Sequence, residues 1–147
     1  MGWIFLAIDD IAAELAGTAS QLARVYPGAT VLTAGGGEAA LIMLEERRII
    51  PSLIFLDYGM PRMNGIEFLS ELRTRRWLER APVVIVSEPI ADRHIVTCYR
   101  MGAGTFLTKP IHQFDLRQAI RDYARPAQQM AAASIVSVAA GAQRSAA

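Results

Sequence analysis

The chain has 147 residues, enough for one domain with a hydrophobic core and too few for two ordinary domains. Hydrophobic residues make up 52% of it and charged residues 20%, which excludes a disordered or collagen-like chain. The formal net charge is +1, so no global field attracts nucleic acid or an anionic membrane. The single cysteine, Cys98, cannot form a disulfide within the chain, and the sequence has no signal-peptide pattern. Both features predict a cytoplasmic protein.

Short apolar runs alternate with longer amphipathic stretches, and this alternation predicts repeated strand–helix units. Five runs rich in β-branched or aromatic residues predict strands at residues 3–8, 30–33, 53–56, 83–86 and 105–107. Apolar residues at helical spacing predict helices at residues 11–22, 37–47, 66–72, 91–101 and 116–123. Gly102 is expected to end the fourth helix in a left-handed conformation.

The predicted strands show little alternation of polar and apolar residues, which is typical of parallel strands covered by helices on both faces. Right-handed crossovers close such units into a doubly wound α/β sheet. Ligands bind to these sheets beyond the carboxyl ends of the strands. The residues that follow each strand are therefore the first candidates for a functional site.

The composition changes after residue 125, which predicts a domain at 1–125 and a low-complexity tail at 126–147. Nine of the 22 tail residues are alanine and only Arg144 is charged. The apolar part, residues 130–140, is shorter than the roughly 20 residues that span a bilayer. The tail is either a disordered or partly helical extension, or an additional helix that packs on the domain or on a second copy.

Acidic, hydroxyl and basic side chains follow four of the predicted strands. Asp9 and Asp10 follow the first strand, Asp57 the third, Ser87 the fourth and Lys109, the only lysine in the chain, the fifth. Carboxylates gathered at one edge repel one another, and a single lysine leaves an excess negative charge that a divalent cation would cancel. Hard oxygen ligands favour Mg²⁺ or Mn²⁺ over zinc.

A carboxylate, a hydroxyl, an ammonium group and a metal around one cavity are the parts of a phosphoryl-transfer site. Asp57 is the predicted nucleophile, because it follows a central apolar strand and precedes a Gly-Met-Pro turn that leaves its side chain at the floor of the cleft. Attack by this carboxylate on a phosphoryl group forms an acyl phosphate.

Four segments of the chain carry a family resemblance. The sequences FLAIDD at 5–10, LDYGMPRMNG at 56–65, VIVS at 84–87 and FLTKP at 106–110 occur in this order. Together they resemble the receiver domain of bacterial two-component response regulators, over residues 3–123. The resemblance implies a flavodoxin-like (βα)₅ fold with a parallel sheet of strand order 2-1-3-4-5.

The resemblance implies a role for each residue of the candidate site. Asp57 would accept a phosphoryl group from a sensor histidine kinase or a histidine phosphotransfer protein. Asp9, Asp10, Asp57 and the backbone carbonyl of Gly59 would hold Mg²⁺. Lys109 would bind the phosphoryl oxygens, with a cis peptide bond to the proline that follows it.

The resemblance also implies a conformational switch. Ser87 would turn inward to bond the phosphoryl group, and Phe106 would follow from an outward to a buried rotamer. This movement would change the surface of the fourth helix, the fifth strand and the fifth helix, which a downstream protein reads. A homodimer through the same face is an open alternative.

The chain departs from the family pattern after Ser87. The next residue is normally small, whereas Glu88 brings a carboxylate toward the phosphoryl site, and Pro89 stiffens a loop that usually moves. Two hypotheses follow. The chain is either a stand-alone phosphorylated receiver in a phosphorelay, whose only reactions are its own phosphorylation and dephosphorylation, or a pseudo-receiver that binds partners without phosphorylation.

Other functions fit the sequence less well. A hydrolase that forms an aspartyl phosphate would need a second acid where this chain has Gly59. A nucleotide or flavin would be repelled by Asp9 and Asp10. A group of arginines after the third helix is expected to form a solvated face, so neither nucleic-acid nor membrane binding is predicted. These are Arg73, Arg75, Arg76 and Arg80.

Overall fold

The computed structural model describes residues 2–130, and its main sheet has five parallel strands. The strands are β1 (Ile4–Ile8), β2 (Thr30–Ala34), β3 (Ile49–Ile50), β4 (Leu53–Asp57), β5 (Val83–Ser87), β6 (Phe106–Thr108) and β7 (Gln128–Gln129). The helices are α1 (Ala12–Val25), α2 (Gly37–Arg47), α3 (Gly65–Thr74), α4 (Asp92–Arg100) and α5 (Gln113–Tyr123). The sheet order is β2-β1-β4-β5-β6, which confirms the order 2-1-3-4-5, because β3 lies outside this sheet.

Helices cover both faces of the sheet. One core cluster joins the sheet to α2, α3 and α4, and the other joins it to α1 and α5. Every residue of β4 and β5 is buried, as the absence of polar alternation in these runs predicts. The central strands β1, β4 and β5 therefore hold their carboxyl ends at fixed positions.

Local sequence signals set two of the helix ends that matter for the site. Asn64 caps α3 in a capping box: its side chain accepts from the Glu67 amide at 2.9 Å, and the Glu67 carboxylate accepts from the Asn64 amide at 3.2 Å. Gly102 has a φ of 89°, and its amide donates to the carbonyl of Tyr99 at 3.0 Å. The prediction that Gly102 ends α4 is confirmed.

The fold continues past residue 125 into the predicted tail. β7 pairs antiparallel with β3, with Ile49 opposite Gln129, and the side chain of Ala127 is buried. The Ala127 amide donates to the carbonyl of Gly2 at 3.1 Å, and the Met130 amide to that of Arg48 at 2.7 Å. Residues 126–130 thus cover the amino-terminal edge of the sheet. Residues 131–147, with the alternative of an additional helix, lie outside the described residues.

The segment 126–130 is expected to contribute measurably to stability. A chain that ends at residue 125 loses the burial of Ala127 and the β3–β7 pairing, and should have about 2 kcal/mol less unfolding free energy than a chain that ends at 130. Urea denaturation of the two chains measures the difference. Equal unfolding free energies would contradict an integral role for this segment.

The group of four arginines is not one solvated face. Arg76 and Arg80 are exposed, but Arg73 is half-buried, and its guanidinium donates to backbone carbonyls of the α3–β5 and α4–β6 connections. The Arg75 guanidinium contacts Glu45 at 2.7 Å and Glu71 at 3.2 Å. The prediction was wrong for Arg73, because the carbonyls that it joins come from separate parts of the chain.

Across residues 2–130, no helix is long and apolar enough to cross a membrane.

Candidate functional site

The predicted site residues lie at the carboxyl edge of the central strands. Asp9 follows β1, Asp57 ends β4 and Ser87 ends β5. These strands are neighbours in the sheet, and Leu56 of β4 pairs with both Ile8 and Ile85. Parallel strands bring their carboxyl ends to the same edge, so the topology itself gathers these side chains.

The three aspartates form one acidic cluster. Carboxylate oxygens of Asp9, Asp10 and Asp57 lie within 4.8 Å of one another. Asp9 and Asp57 are buried, whereas Asp10 is exposed. The amide of Ile11 donates to Oδ1 of Asp9 at 2.9 Å, which fixes this carboxylate at the start of α1.

Lys109 brings its ammonium group into contact with the acidic cluster. Its Nζ lies 3.0 Å from Oδ2 of Asp9 and 2.9 Å from Oδ1 of Asp57. A third carboxylate, Glu14 on the first turn of α1, lies closer still, with Oε2 at 2.6 Å. Burial by itself would lower the pKa of Lys109, but the contacts with Glu14, Asp57 and Asp9 outweigh it and raise the pKa above its ordinary value.

The carboxyl group of Asp57 is held in an environment that disfavours its charge. Burial raises its pKa above the ordinary value, Lys109 opposes this rise, and the nearby charges of Asp9 and Asp10 add to it. A cation bound among the three carboxylates would relieve both the burial cost and the mutual repulsion. A bound metal ion would therefore stabilise the charged form of Asp57.

Glu14 is a site residue that sequence reasoning missed. As an acidic residue in the first turn of a helix it has an ordinary role near the positive end of the helix dipole. A signal was nonetheless present, because Asp10 and Glu14 are four residues apart and α1 starts at the functional edge of the sheet. Only the position of Lys109, 95 residues later in the chain, shows which way the Glu14 side chain turns.

Ser87 lies at the same edge but does not point its hydroxyl at Asp57. The hydroxyl donates to the backbone carbonyl of Glu88 at 2.6 Å. Glu88 is exposed, and it lines a cavity of about 480 Å³ together with Lys109 and Glu14. Glu88 therefore borders the same cavity as Lys109.

The loop after Asp57 packs tightly against α3. Gly59 is exposed, two residues beyond Asp57. A side chain at Gly65 would place its Cβ 3.1 Å from Cα of Tyr58, and the Gly65 amide donates to the Tyr58 carbonyl at 2.9 Å. The close approach favours glycine, and the hydrogen bond holds the loop in place at the mouth of the site.

Phe106 lies outside the acidic cluster, on the side of α4. Its ring is half-buried, and the centroid of the Tyr99 ring lies 5.8 Å from its own.

The peptide bond between Lys109 and Pro110 is cis, which confirms the cis bond expected from the sequence. The structure thus brings Asp9, Asp10, Asp57 and Lys109 together, and leaves Ser87 and Phe106 at the edges of the site.

The donor set fits a hard divalent cation. Three carboxylates offer oxygen ligands within a few ångströms, and neither a thiolate nor an imidazole belongs to the acidic cluster. Mg²⁺ prefers such oxygen ligands and keeps part of its water shell, which the exposed side of Asp10 and Gly59 permits. The residues present therefore suit Mg²⁺ or Mn²⁺.

Comparison with known proteins agrees with this geometry. The pattern of the response regulator receiver domain matches residues 5–121. The chain belongs to this family. Receiver domains of response regulators have a phosphoacceptor signalling role in two-component systems, and the family generally binds Mg²⁺ at its acidic pocket, where this chain has Asp9, Asp10 and Asp57.

Relatives of this receiver domain include proteins of different lengths. The two-component response regulator ORR11 of Oryza sativa subsp. indica is 33% identical over 111 residues, which are 76% of this chain and 74% of that protein. The protein-glutamate methylesterase/protein-glutamine glutaminase of Treponema denticola is 39% identical over 108 residues, which are 71% of this chain but only 28% of the methylesterase.

A solved structure shows the same fold. The chemotaxis protein CheY4 of Vibrio cholerae superimposes with a TM-score of 0.75 and 24% identity, covering 84% of this chain and 99% of that one. The CheY-like receiver fold therefore accounts for nearly all of the described residues.

Proposed function

We propose that this chain is a Mg²⁺-dependent phosphoryl acceptor and that Asp57 is the residue that carries the phosphoryl group. The observation that supports this proposal is the contact of Asp57 with Lys109 at 2.9 Å beside the carboxylates of Asp9 and Asp10. Asp57 alone of the three ends a strand at the centre of the sheet, between β1 and β5. Its carboxylate is the nucleophile, and Asp9 and Asp10 are metal ligands.

The proposed reaction transfers one phosphoryl group. An oxygen of the Asp57 carboxylate attacks phosphorus in line with the bond to the donor, and a new O–P bond forms as the donor bond breaks. From a phosphohistidine, the imidazole nitrogen leaves with the bonding electron pair and takes a proton. Water later attacks the acyl phosphate and releases inorganic phosphate, so the domain acts on no substrate but itself.

Lys109 and the metal site share the task of neutralising charge. The ammonium group of Lys109 binds the phosphoryl oxygens from the β6 side of the site. When bound by Asp9, Asp10, Asp57 and the Gly59 carbonyl, Mg²⁺ supplies positive charge to the phosphoryl oxygens. Ser87 would exchange its bond to the Glu88 carbonyl for a bond to the phosphoryl group.

The proposed partners are proteins on both sides of the phosphoryl transfer. The donor is a sensor histidine kinase or a histidine phosphotransfer protein in the cytoplasm. The output is a protein contact through the face of α4, β6 and α5, where Phe106 packs near the exposed ring of Tyr99. Pairing of two copies of the chain through this face is the alternative to binding a downstream protein there.

Intact mass spectrometry tests the proposed reaction. The protein is incubated with acetyl phosphate in the presence of Mg²⁺ or of EDTA. A single phosphoryl adduct that forms with Mg²⁺ and disappears with EDTA is the expected result. An adduct that forms equally well in EDTA would contradict the metal dependence.

A second candidate function is supported by the position of Glu88. Glu88 follows Ser87 directly and lines a cavity together with Lys109, and a negative charge near that lysine would oppose the binding of phosphoryl oxygens. A receiver in which this charge prevents phosphorylation would bind its partners without it. The pseudo-receiver hypothesis and the phosphorylated receiver differ in one measurable property, the rate of adduct formation.

Replacing Glu88 with alanine is expected to raise the initial rate of adduct formation about threefold, because the effect of an exposed charge is partly screened by water. Quantitative mass spectrometry at fixed acetyl phosphate and Mg²⁺ measures this rate. Glu46→Ala, an exposed change on α2, is the matched control and should leave the rate unchanged. A lower rate in the Glu88 variant would show that this carboxylate assists the site.

A further inference from the structure

Glu14 occupies one of the three acceptor positions around the Lys109 ammonium group. Carboxylate oxygens of Asp9, Asp57 and Glu14 lie 3.0, 2.9 and 2.6 Å from Nζ. An ammonium group has three N–H donors and no acceptor. Nζ donates hydrogen bonds to Asp9 and Glu14 and forms an ion pair with Asp57. A phosphoryl oxygen that approaches Nζ therefore competes with these three carboxylates.

Glu14 is the carboxylate that can leave at the lowest cost. Its side chain is 38% exposed, whereas those of Asp9 and Asp57 are 7% and 9% exposed. A carboxylate near the surface regains water when it loses its partner, but a buried one would be left unpaired. Asp9 is also fixed by the Ile11 amide at its other oxygen.

We infer that Glu14 is a positioning residue that holds Lys109 in the unphosphorylated state and competes with the phosphoryl group for its ammonium. This inference rests on the proposed function at Asp57. Glu14 carries the same sign of charge as the phosphoryl oxygens and approaches Lys109 from α1. Phosphorylation would exchange this contact for a phosphoryl oxygen and release the Glu14 side chain at the surface of α1.

The exchange has a direct consequence for the start of α1. In the unphosphorylated state, the contact between Glu14 and Lys109 joins this helix to the loop between β6 and α5, and its loss leaves α1 without that link. Gln21 retains a separate bond to this loop, from its side-chain amide to the Ile111 carbonyl at 3.0 Å. The effect of Glu14 is therefore local to the first turn of α1 and the lysine.

The first test uses the fact that Lys109 is the only lysine in the chain. Labelling with ¹⁵N-lysine gives one side-chain ammonium signal in NMR spectra, and its hydrogen exchange reports the carboxylates around it. Glu14→Gln keeps the shape of the side chain and removes its charge. Exchange at Lys109 should become several-fold faster in this variant and remain unchanged in Glu46→Gln, an exposed control on α2.

The second test measures phosphorylation. Because the contact is partly exposed, Glu14→Gln should raise the initial rate of adduct formation about fivefold, which corresponds to about 1 kcal/mol of activation free energy. Glu14→Asp keeps the charge on a shorter side chain, and its rate should fall between those of the other two proteins. Circular dichroism confirms that each variant is folded.

The outcomes separate this inference from the proposed function. Unchanged ammonium exchange in Glu14→Gln would overturn the contact itself, and faster exchange with an equal or lower phosphorylation rate would overturn the competition. A lower rate would mean that Glu14 orients Lys109 for the reaction. If the wild-type chain forms no adduct at all, the proposed function fails and the competition fails with it, while ammonium exchange still shows whether Glu14 holds the lysine.

Discussion

Replacing Asp57 with asparagine is expected to abolish the phosphoryl adduct. The amide has nearly the shape of the carboxylate but lacks the charged oxygen that attacks phosphorus, so no acyl phosphate forms. Asp9 and Asp10 stay in place in this variant, and neither lies at the end of the central strand β4. Intact mass spectrometry after incubation with acetyl phosphate and Mg²⁺ should show only the unmodified mass.

The matching control separates loss of the nucleophile from loss of the fold. Asp57→Asn should retain the circular dichroism spectrum and a single cooperative urea transition, since it keeps the volume of a buried side chain. Persistence of a phosphoryl adduct in the folded variant would show that another residue is the acceptor. Asp9 and Asp10 would then have to be tested in the same way.

Replacing the half-buried Arg73 with methionine is expected to lower the stability of the fold substantially. The guanidinium donates to four backbone carbonyls at 2.9 to 3.2 Å, and burial lowers its pKa below the ordinary value. These carbonyls belong to Glu79, Ala81, Met101 and Gly102. Methionine fills much of the space but leaves the part-buried carbonyls of Ala81 and Met101 without their donor, so the unfolding free energy should fall by about 3 kcal/mol.

Arg73→Lys is the informative comparison in the same urea measurements. Lysine keeps the positive charge but presents its donors at one point, so it cannot reach carbonyls on two separate loops at once. It should recover only part of the lost stability. A methionine variant as stable as the wild type would mean that water satisfies these carbonyls and that Arg73 does not join the two loops.

The acidic site was predictable because it depends on local patterns and one general rule. Each strand is a short apolar run, and the carboxyl ends of parallel strands meet at one edge. Once strands were placed before Asp9, Asp57 and Lys109, their proximity followed. The cap at Gly102 was predictable for a similar reason, since a glycine that follows an amphipathic run has a specific backbone role.

The features that the sequence did not predict depend on contacts between distant parts of the chain. β3 and β7 have two residues each, too few for a periodic pattern, and they pair across about half the chain. Arg73 looks like its exposed neighbours until the carbonyls around it are known. Glu14 resembles any acidic residue in a first helical turn, and its meaning depends on Lys109 at the other end of the domain.

Locating the phosphoryl group tests directly whether Asp57 is the acceptor. The wild-type protein is incubated with Mg²⁺ and either acetyl phosphate or phosphoramidate, and is then reduced with borohydride. Borohydride converts an aspartyl phosphate to homoserine. The protein is digested, and its peptides are sequenced by mass spectrometry. Conversion is expected at Asp57 and at neither Asp9 nor Asp10. Conversion at another aspartate would contradict Asp57 as the acceptor. No conversion with either donor, while Mg²⁺ binding is measurable, would contradict the phosphoryl-acceptor function and favour the pseudo-receiver.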